Sequence, residues 1–281
     1  MSEALVVGSG GWVGGAVSAE LGRRGIPWRS ASRVWSSTLV SRGGPGEIGP
    51  AILSSGVTCV INCAAPGETT QKQEGYVALT AALAAVCEEL GVKLIHVGSA
   101  AEFGSNPMEF IADDAEPNPV SRYGEVKVAA SELASSRGAL VVRPFNIVGA
   151  QQPAGTPVGD WIRQIGRTGE DGGFVTVGNP SLVRDYVGLA RVARVLSSLV
   201  ERPEVTGFLN ICSGEPNSFG SMCEALIRAS GRAADMIAGS VAGVPRVVGD
   251  SQRLRDLGLY EVQNLGSLAA EALSTTALES R

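Results

Sequence analysis

Short apolar runs recur through the first half of the chain, each followed by a longer segment that ends at a glycine. Ala4-Leu5-Val6-Val7 predicts a strand, and residues 12–24 predict a helix stopped by Gly25. A second, irregular strand is predicted over 27–31. A third follows over 57–63, then a long apolar helix over 76–90 with Gly91 as its stop, and a strand over 93–98. A helix over 123–136, closed by Gly138, and a strand over 140–143 continue the alternation. This order predicts a parallel sheet with helices on both faces. Beyond Gly149 the texture changes. Residues 150–181 are rich in Gly, Pro, Gln and Thr and carry no predicted element, after which 187–199 predict a helix, 208–212 a strand and 218–229 a helix. Residues 36–50, with many Ser and Gly and two Pro, predict loop where a tidy strand is expected.

Composition narrows the class. With 281 residues, 44% hydrophobic and 18% charged, the chain falls among globular folds. A net charge of −5 gives no basic footprint for nucleic acid. No run reaches the length of a membrane span, and no basic segment precedes an apolar one at the N-terminus, so the cytoplasm is the expected location. Cys59, Cys63, Cys87, Cys212 and Cys223 are odd in number and lack metal-type spacing, which predicts small buried hydrophobes. The single His96 lies in a strand pattern and predicts a satisfied strand residue. No metal site is expected.

Candidate chemistry begins at the first turn. Gly8-Ser9-Gly10-Gly11-Trp12-Val13-Gly14 follows the first strand and opens the first helix, where a dinucleotide loop belongs. The fitting spacing is Gly8-x-x-Gly11-x-x-Gly14: Gly8 for the tight turn, Gly11 for backbone approach to a pyrophosphate, Gly14 for packing helix on strand. The N–H groups near Trp12 and Val13 then point at the anion. At the end of the second strand stand Arg29-Ser30-Ala31-Ser32-Arg33, with no acid to accept from a ribose 2′-hydroxyl. Ser32 and Arg33 therefore argue for NADP(H), with NAD(H) the other option.

Tyr123 and Lys127, four apart, share one face of a helix. An ammonium beside a phenol favours phenolate and predicts a lowered Tyr123 pKa. Ser99 is a hydroxyl that could bond the same substrate oxygen. The three suit proton transfer to or from a carbonyl or alcohol oxygen while hydride moves at its carbon. A solvated helix face satisfies the same spacing.

Further segments complete a family pattern. Val60-Ile61-Asn62-Cys63-Ala64-Ala65, Val97-Gly98-Ser99-Ala100-Ala101-Glu102-Phe103-Gly104, Arg143-Pro144-Phe145-Asn146-Ile147-Val148-Gly149 and Val183-Arg184-Asp185-Tyr186-Val187 run in order. With the glycine loop and Tyr-x-x-x-Lys, the chain resembles the extended short-chain dehydrogenase/reductase superfamily, in its nucleotide-sugar epimerase/reductase branch. The resemblance implies a doubly wound α/β Rossmann fold over 1–150. It implies a smaller, mainly substrate-binding region over 151–281, with 182–215 returning to the first domain. It places Ser99, Tyr123 and Lys127 in catalysis. Cys63, Ala64, Ala65 and Pro144 line the cofactor, and Ser99, Ala100, Ala101, Asn146 and Arg184 face the substrate, Arg184 on its diphosphate. A homodimer through the helices near 76–90 and 123–136 is implied too. Ala81, Ala82, Ala84 and Ala85, apolar around the first of these, fit burial on two sides, as they would in the core of one subunit.

Departures from the pattern shape the function. Related 4,6-dehydratases carry Asp-Glu after the catalytic hydroxyl residue. Ala100-Ala101 stand there and cannot move protons. Tyr76 stands at the helix position where many relatives carry Asn, so a proton relay through that Asn is not expected, and Glu102 has no assigned role. The shortened region after the second strand is similar to the dTDP-dehydrorhamnose reductase subgroup. The resulting expectation is an NADP(H)-dependent 4-ketoreductase of a nucleotide-linked keto-deoxysugar. An NAD-dependent 4-epimerase is the alternative. A non-catalytic NADP(H) sensor is a third class, disfavoured because a sensor does not need Ser99, Tyr123 and Lys127 together.

Overall fold

The computed structural model describes residues 3–31, 52, 56–169 and 172–274. The first strand, β1 (Ala4–Val7), is buried along its length. Its side chains alternate between two cores, Ala4 and Val6 in one, Leu5 and Val7 in the other. Then come α1 (Trp12–Arg23), β2 (Trp28–Ser30), β3 (Cys59–Asn62), α2 (Thr70–Leu90), β4 (Lys93–Val97), α3 (Arg122–Ser135) and β5 (Leu140–Pro144). The next five elements, β6 (Asn146–Val148), α4 (Pro157–Gly166), β7 (Phe174–Val177), β8 (Val183–Arg184) and β9 (Tyr186–Gly188), lie outside the main sheet. After α5 (Leu189–Leu199), β10 (Phe208–Ile211) pairs with β5. The chain ends with β11 (Asn217–Ser218), α6 (Phe219–Ser230), β12 (Asp235–Ala238), β13 (Arg246–Val247), α7 (Gln252–Asp256) and α8 (Leu265–Leu273).

Six parallel strands in the order β10-β5-β4-β3-β1-β2 make the main sheet. α1 and α5 cover one face through Val17, Leu21, Val192 and Leu196. α2 and α3 cover the other through Leu79, Leu83 and Ala134. This is the doubly wound α/β fold the alternation predicts. A further core joins α4, β7, α6 and α8 around Trp161, Val175, Met222 and Leu268.

The larger departures from the expectation have local causes. α2 begins at Thr70, not residue 76, because Thr69 caps it by accepting the Lys72 N–H at 3.3 Å. Its first turn and a half is polar and exposed, so an apolar period does not register it. Val187 and Gly188 belong to β9, and the helix starts only at Leu189. Residues 150–181 contain α4 and β7, which their Gly and Pro content conceals. The loop expectation over 36–50 lies outside the described residues. In a single chain Ala81, Ala82 and Ala85 are half-buried.

Candidate active site

The sheet order reverses at β1, with β2 on one side and β3 on the other, which opens a crevice at the strands' C-terminal ends. Gly8 turns there with φ 78°, and a Cβ on it would lie 2.9 Å from the Ala64 nitrogen. A Cβ on Gly14 would meet the Gly8 carbonyl oxygen at 2.1 Å, so only glycine lets α1 sit this close to β1. Gly11 is the N-cap of α1, with no side chain to cap the helix and no acid in the first turn. The helix therefore presents uncapped N–H groups and its positive dipole end to the crevice, a cradle that suits a pyrophosphate. Trp12 Nε1 donates to the Ala150 carbonyl at 2.7 Å, tying this loop to the segment after β6. Ser32 and Arg33 lie outside the described residues.

The crevice widens into a cleft of about 800 Å³. The β1–α1 loop supplies Gly8, Gly11, Trp12 and Val13, with Gly14 behind them. The end of β3 supplies Cys63, Ala64 and Ala65, and the end of β4 supplies Ser99, Ala100 and Ala101. Tyr123 and Lys127 come from α3, and Pro144, Asn146 and Arg184 from β5, β6 and β8. The far wall comes from the region expected to bind substrate, though none of its residues stood out in the sequence: Gln152, Thr156, Val158, Phe219, Val244 and Val247. A legible signal for part of it was Thr156-Pro157, an N-cap followed by proline at the first helical position. Among the described residues lining the cleft there is no carboxylate, while Lys127 and Arg184 bring positive charge.

Lys127 is buried, and its Nζ donates to the Val97 carbonyl at 2.8 Å and to the Tyr76 Oη at 3.0 Å. Burial lowers its ammonium to about 8, against support from Glu102 and Cys63. Tyr123 keeps 44% of its surface, so the phenol can be reached from the cleft. The expected lowering of its pKa is not found. Desolvation by the cleft walls pushes the phenol up, offset in part by a side-chain hydrogen bond with Ser99. The physical reason is that Lys127 turns its ammonium to Tyr76 and Val97 and stands 6.0 Å from the Tyr123 ring centroid.

Glu102 is fully buried and is not among the residues that line the cleft. It accepts from the Ser99 N–H at 2.8 Å, the Ser131 hydroxyl at 2.9 Å and the Arg143 Nε at 2.8 Å. The carboxylate thus ties the short 3-10 turn Ala100–Glu102, whose N-cap is Ser99, to α3 and β5. His96 is buried and hydrogen-bonded, and burial holds its imidazole well below the usual range.

On the far side of the cleft, Arg184 Nη1 donates to the Val183 and Val244 carbonyls at 2.7 and 2.9 Å, and the guanidinium lies 5.1 Å from the Phe219 ring centroid. These partners are neutral, which leaves its charge available to an anion. Asn146 donates to the Asp185 carbonyl at 2.9 Å. Asp185, next to Arg184, is a buried carboxylate that accepts from the N–H groups of Ser213, Gly214 and Gly249 and from the Ser213 hydroxyl.

Comparison with known proteins gives a consistent result. The family model for the NAD dependent epimerase/dehydratase family matches residues 4–212. ADP-L-glycero-D-manno-heptose-6-epimerase of Pseudomonas aeruginosa is 30% identical over 155 residues, 50% of this chain and 46% of that protein. The chain thus matches about half the length of its curated relatives. Among solved structures, RMD from Pseudomonas aeruginosa complexed with NADPH superposes with a TM-score of 0.80 at 22% identity, over 98% of both chains. UDP-glucose 4-epimerase from Thermotoga maritima, with UDP-glucose, gives a TM-score of 0.81 at 18% identity over 97% of both chains.

Proposed function

Because the chain belongs to the NAD dependent epimerase/dehydratase family, we propose that it reduces a nucleotide-linked 4-keto-deoxysugar with NADPH. The observation that carries this reading is Ser99, Tyr123 and Lys127 gathered on one cleft that also holds Arg184 and has no carboxylate among its described lining residues. The cradle at Gly8, Gly11 and Gly14 fits a dinucleotide, which when bound supplies the hydride. Ser99 and Tyr123 hold the C4 oxygen, and Tyr123 delivers its proton to that oxygen as charge develops. With its pKa not depressed, the phenol is protonated at neutral pH, as a donor requires. Lys127 holds the nicotinamide ribose, Arg184 anchors the diphosphate by charge-assisted bonds, and Asn146 borders the sugar. Ala100 and Ala101 bring no acid or base, which argues against dehydration of the sugar. Ser32 and Arg33 fit a 2′-phosphate, hence the preference for NADP(H) over NAD(H). We further propose a homodimer through α2 and α3.

The test is absorbance loss with NADPH and NADH against a panel of nucleotide-linked 4-keto-6-deoxysugars. Consumption of NADPH in preference to NADH, with a reduced sugar formed, is the expected outcome. The names of the curated relatives favour a second reading, an epimerase. Purified protein that carries bound NAD and interconverts two sugars without added cofactor would establish it and overturn the reductase.

A further inference from the structure

Behind Lys127, on the α2/α3 face of the sheet, lies a chain of buried polar groups whose hydrogen-bond directions can be worked out. Asn62 and His96 are register partners on β3 and β4, so they point to the same face. Asn62 Oδ1 accepts from the Ala64 N–H at 3.2 Å, which leaves its Nδ2 as the group facing Thr80 Oγ1 at 3.3 Å and His96 Nδ1 at 3.2 Å. Thr80 spends its own proton on the Tyr76 carbonyl, 3.0 Å away, and so accepts from Asn62. An amide N–H facing Nδ1 makes that nitrogen the acceptor, so the His96 proton sits on Nε2. Nε2 lies 3.3 Å from Tyr76 Oη and donates to it. Tyr76 Oη therefore receives two N–H donors, His96 Nε2 and Lys127 Nζ.

We propose that Tyr76 and His96 are a positioning pair for Lys127: His96 fixes the Tyr76 hydroxyl, which with the Val97 carbonyl occupies two of the three ammonium N–H groups and leaves the third for the cleft. The proposal rests on the role given to Lys127 above. A neutral acceptor suits the task, because it stabilises the ammonium without adding a charge that would bind it too firmly. The groups that face Lys127 are Cys63 after β3, Tyr76 on α2, His96 on β4, Glu102 in the 3-10 turn and Tyr123 on its own helix. Among these, Tyr76 is the side chain that accepts directly from Nζ. Removing its oxygen strips the charged form of a partner.

The chain has three lysines, Lys72, Lys93 and Lys127, so lysine methylene carbons can be followed one by one by NMR in the full-length protein. Lys72→Arg and Lys93→Arg identify the resonances. Lys127 should titrate near the value of about 8 that burial gives it. Tyr76→Phe should lower that midpoint by on the order of one pH unit. His96→Gln should move it in the native chain but not in the Tyr76→Phe background, because it acts through the Tyr76 oxygen. The alkaline limb of kcat should shift with the Lys127 midpoint. An unmoved midpoint in a folded Tyr76→Phe protein would overturn the proposal. Should that variant not fold, an unmoved midpoint in His96→Gln would do the same. No sugar enters the titration, so a protein that reduced none of the panel would sink the reductase reading alone.

Discussion

At the scale of single residues, the division of labour between Ser99 and Tyr123 can be read from what each touches. The Ser99 hydroxyl accepts from the Ala101 N–H at 3.1 Å, which fixes it in place, and its hydrogen bond with Tyr123 offsets part of the rise that burial gives the phenol. Tyr123→Phe keeps the ring against the cleft wall and removes the proton. Turnover should fall by about a thousandfold or more, in the range seen when an acid is deleted together with its oxyanion contact, while NADPH affinity by fluorescence titration stays within about threefold. Turnover that survived the change would remove Tyr123 as the donor. The spacing of Tyr123 and Lys127 was legible in the sequence because a helix brings positions four apart together. The Tyr76 contact and the burial of Glu102 were not, since residues from α2, β4, α3 and β5 meet there only after the sheet has formed.

Elements were legible where one period dominates. β1 falls where its apolar run lies, and α3 begins within one residue of its expected start, where Ser121 accepts the Gly124 N–H at 3.2 Å. α4 was missed although Val158, Trp161, Ile162 and Ile165 follow a helical period, because the glycines and prolines around it dominate the composition. The 3-10 turn was invisible to any period, being three residues long and held by a side chain. Glu102 is that side chain, and its salt bridge with Arg143 is almost wholly shielded from water. Arg143 also lies 4.1 Å from the Phe208 ring centroid, so it cannot follow its partner into solvent without losing packing. Glu102→Ala leaves a buried guanidinium short of its counter-charge and should cost about 3–5 kcal/mol in urea unfolding. Since the turn also presents Ser99, turnover in the folded fraction should drop as well. A loss of less than about 1 kcal/mol would mean that the carboxylate does not hold the turn.

At the scale of the whole molecule, the main sheet and the further core around Trp161 both border the cleft, and Asp185 is a bolt between segments that meet there. Its backbone N–H donates to the Val247 carbonyl, its carbonyl accepts from Asn146, and its carboxylate collects donors from the segments after β10 and β13. Burial nevertheless pushes this carboxyl up to about 6, above its ordinary value of 3.8, despite four hydrogen bonds that favour the charge. Between those two values the native state keeps a proton that the unfolded chain has released. The contribution of this group to stability is therefore full below about pH 4 and declines as the pH rises to about 6. Asp185→Asn keeps the shape but turns an N–H toward a ring of N–H donors, which costs about 1–3 kcal/mol for each group left unpaired. The variant should be the less stable protein throughout, and its deficit should be widest near pH 4 and narrow as the pH approaches neutrality. Melting temperatures of the two proteins across this interval test it, because every other titrating group is common to both curves. A deficit that stayed constant from pH 4 to 7 would show that Asp185 is ionised over the whole range. The bolt would then be a permanent carboxylate, held by its four donors alone.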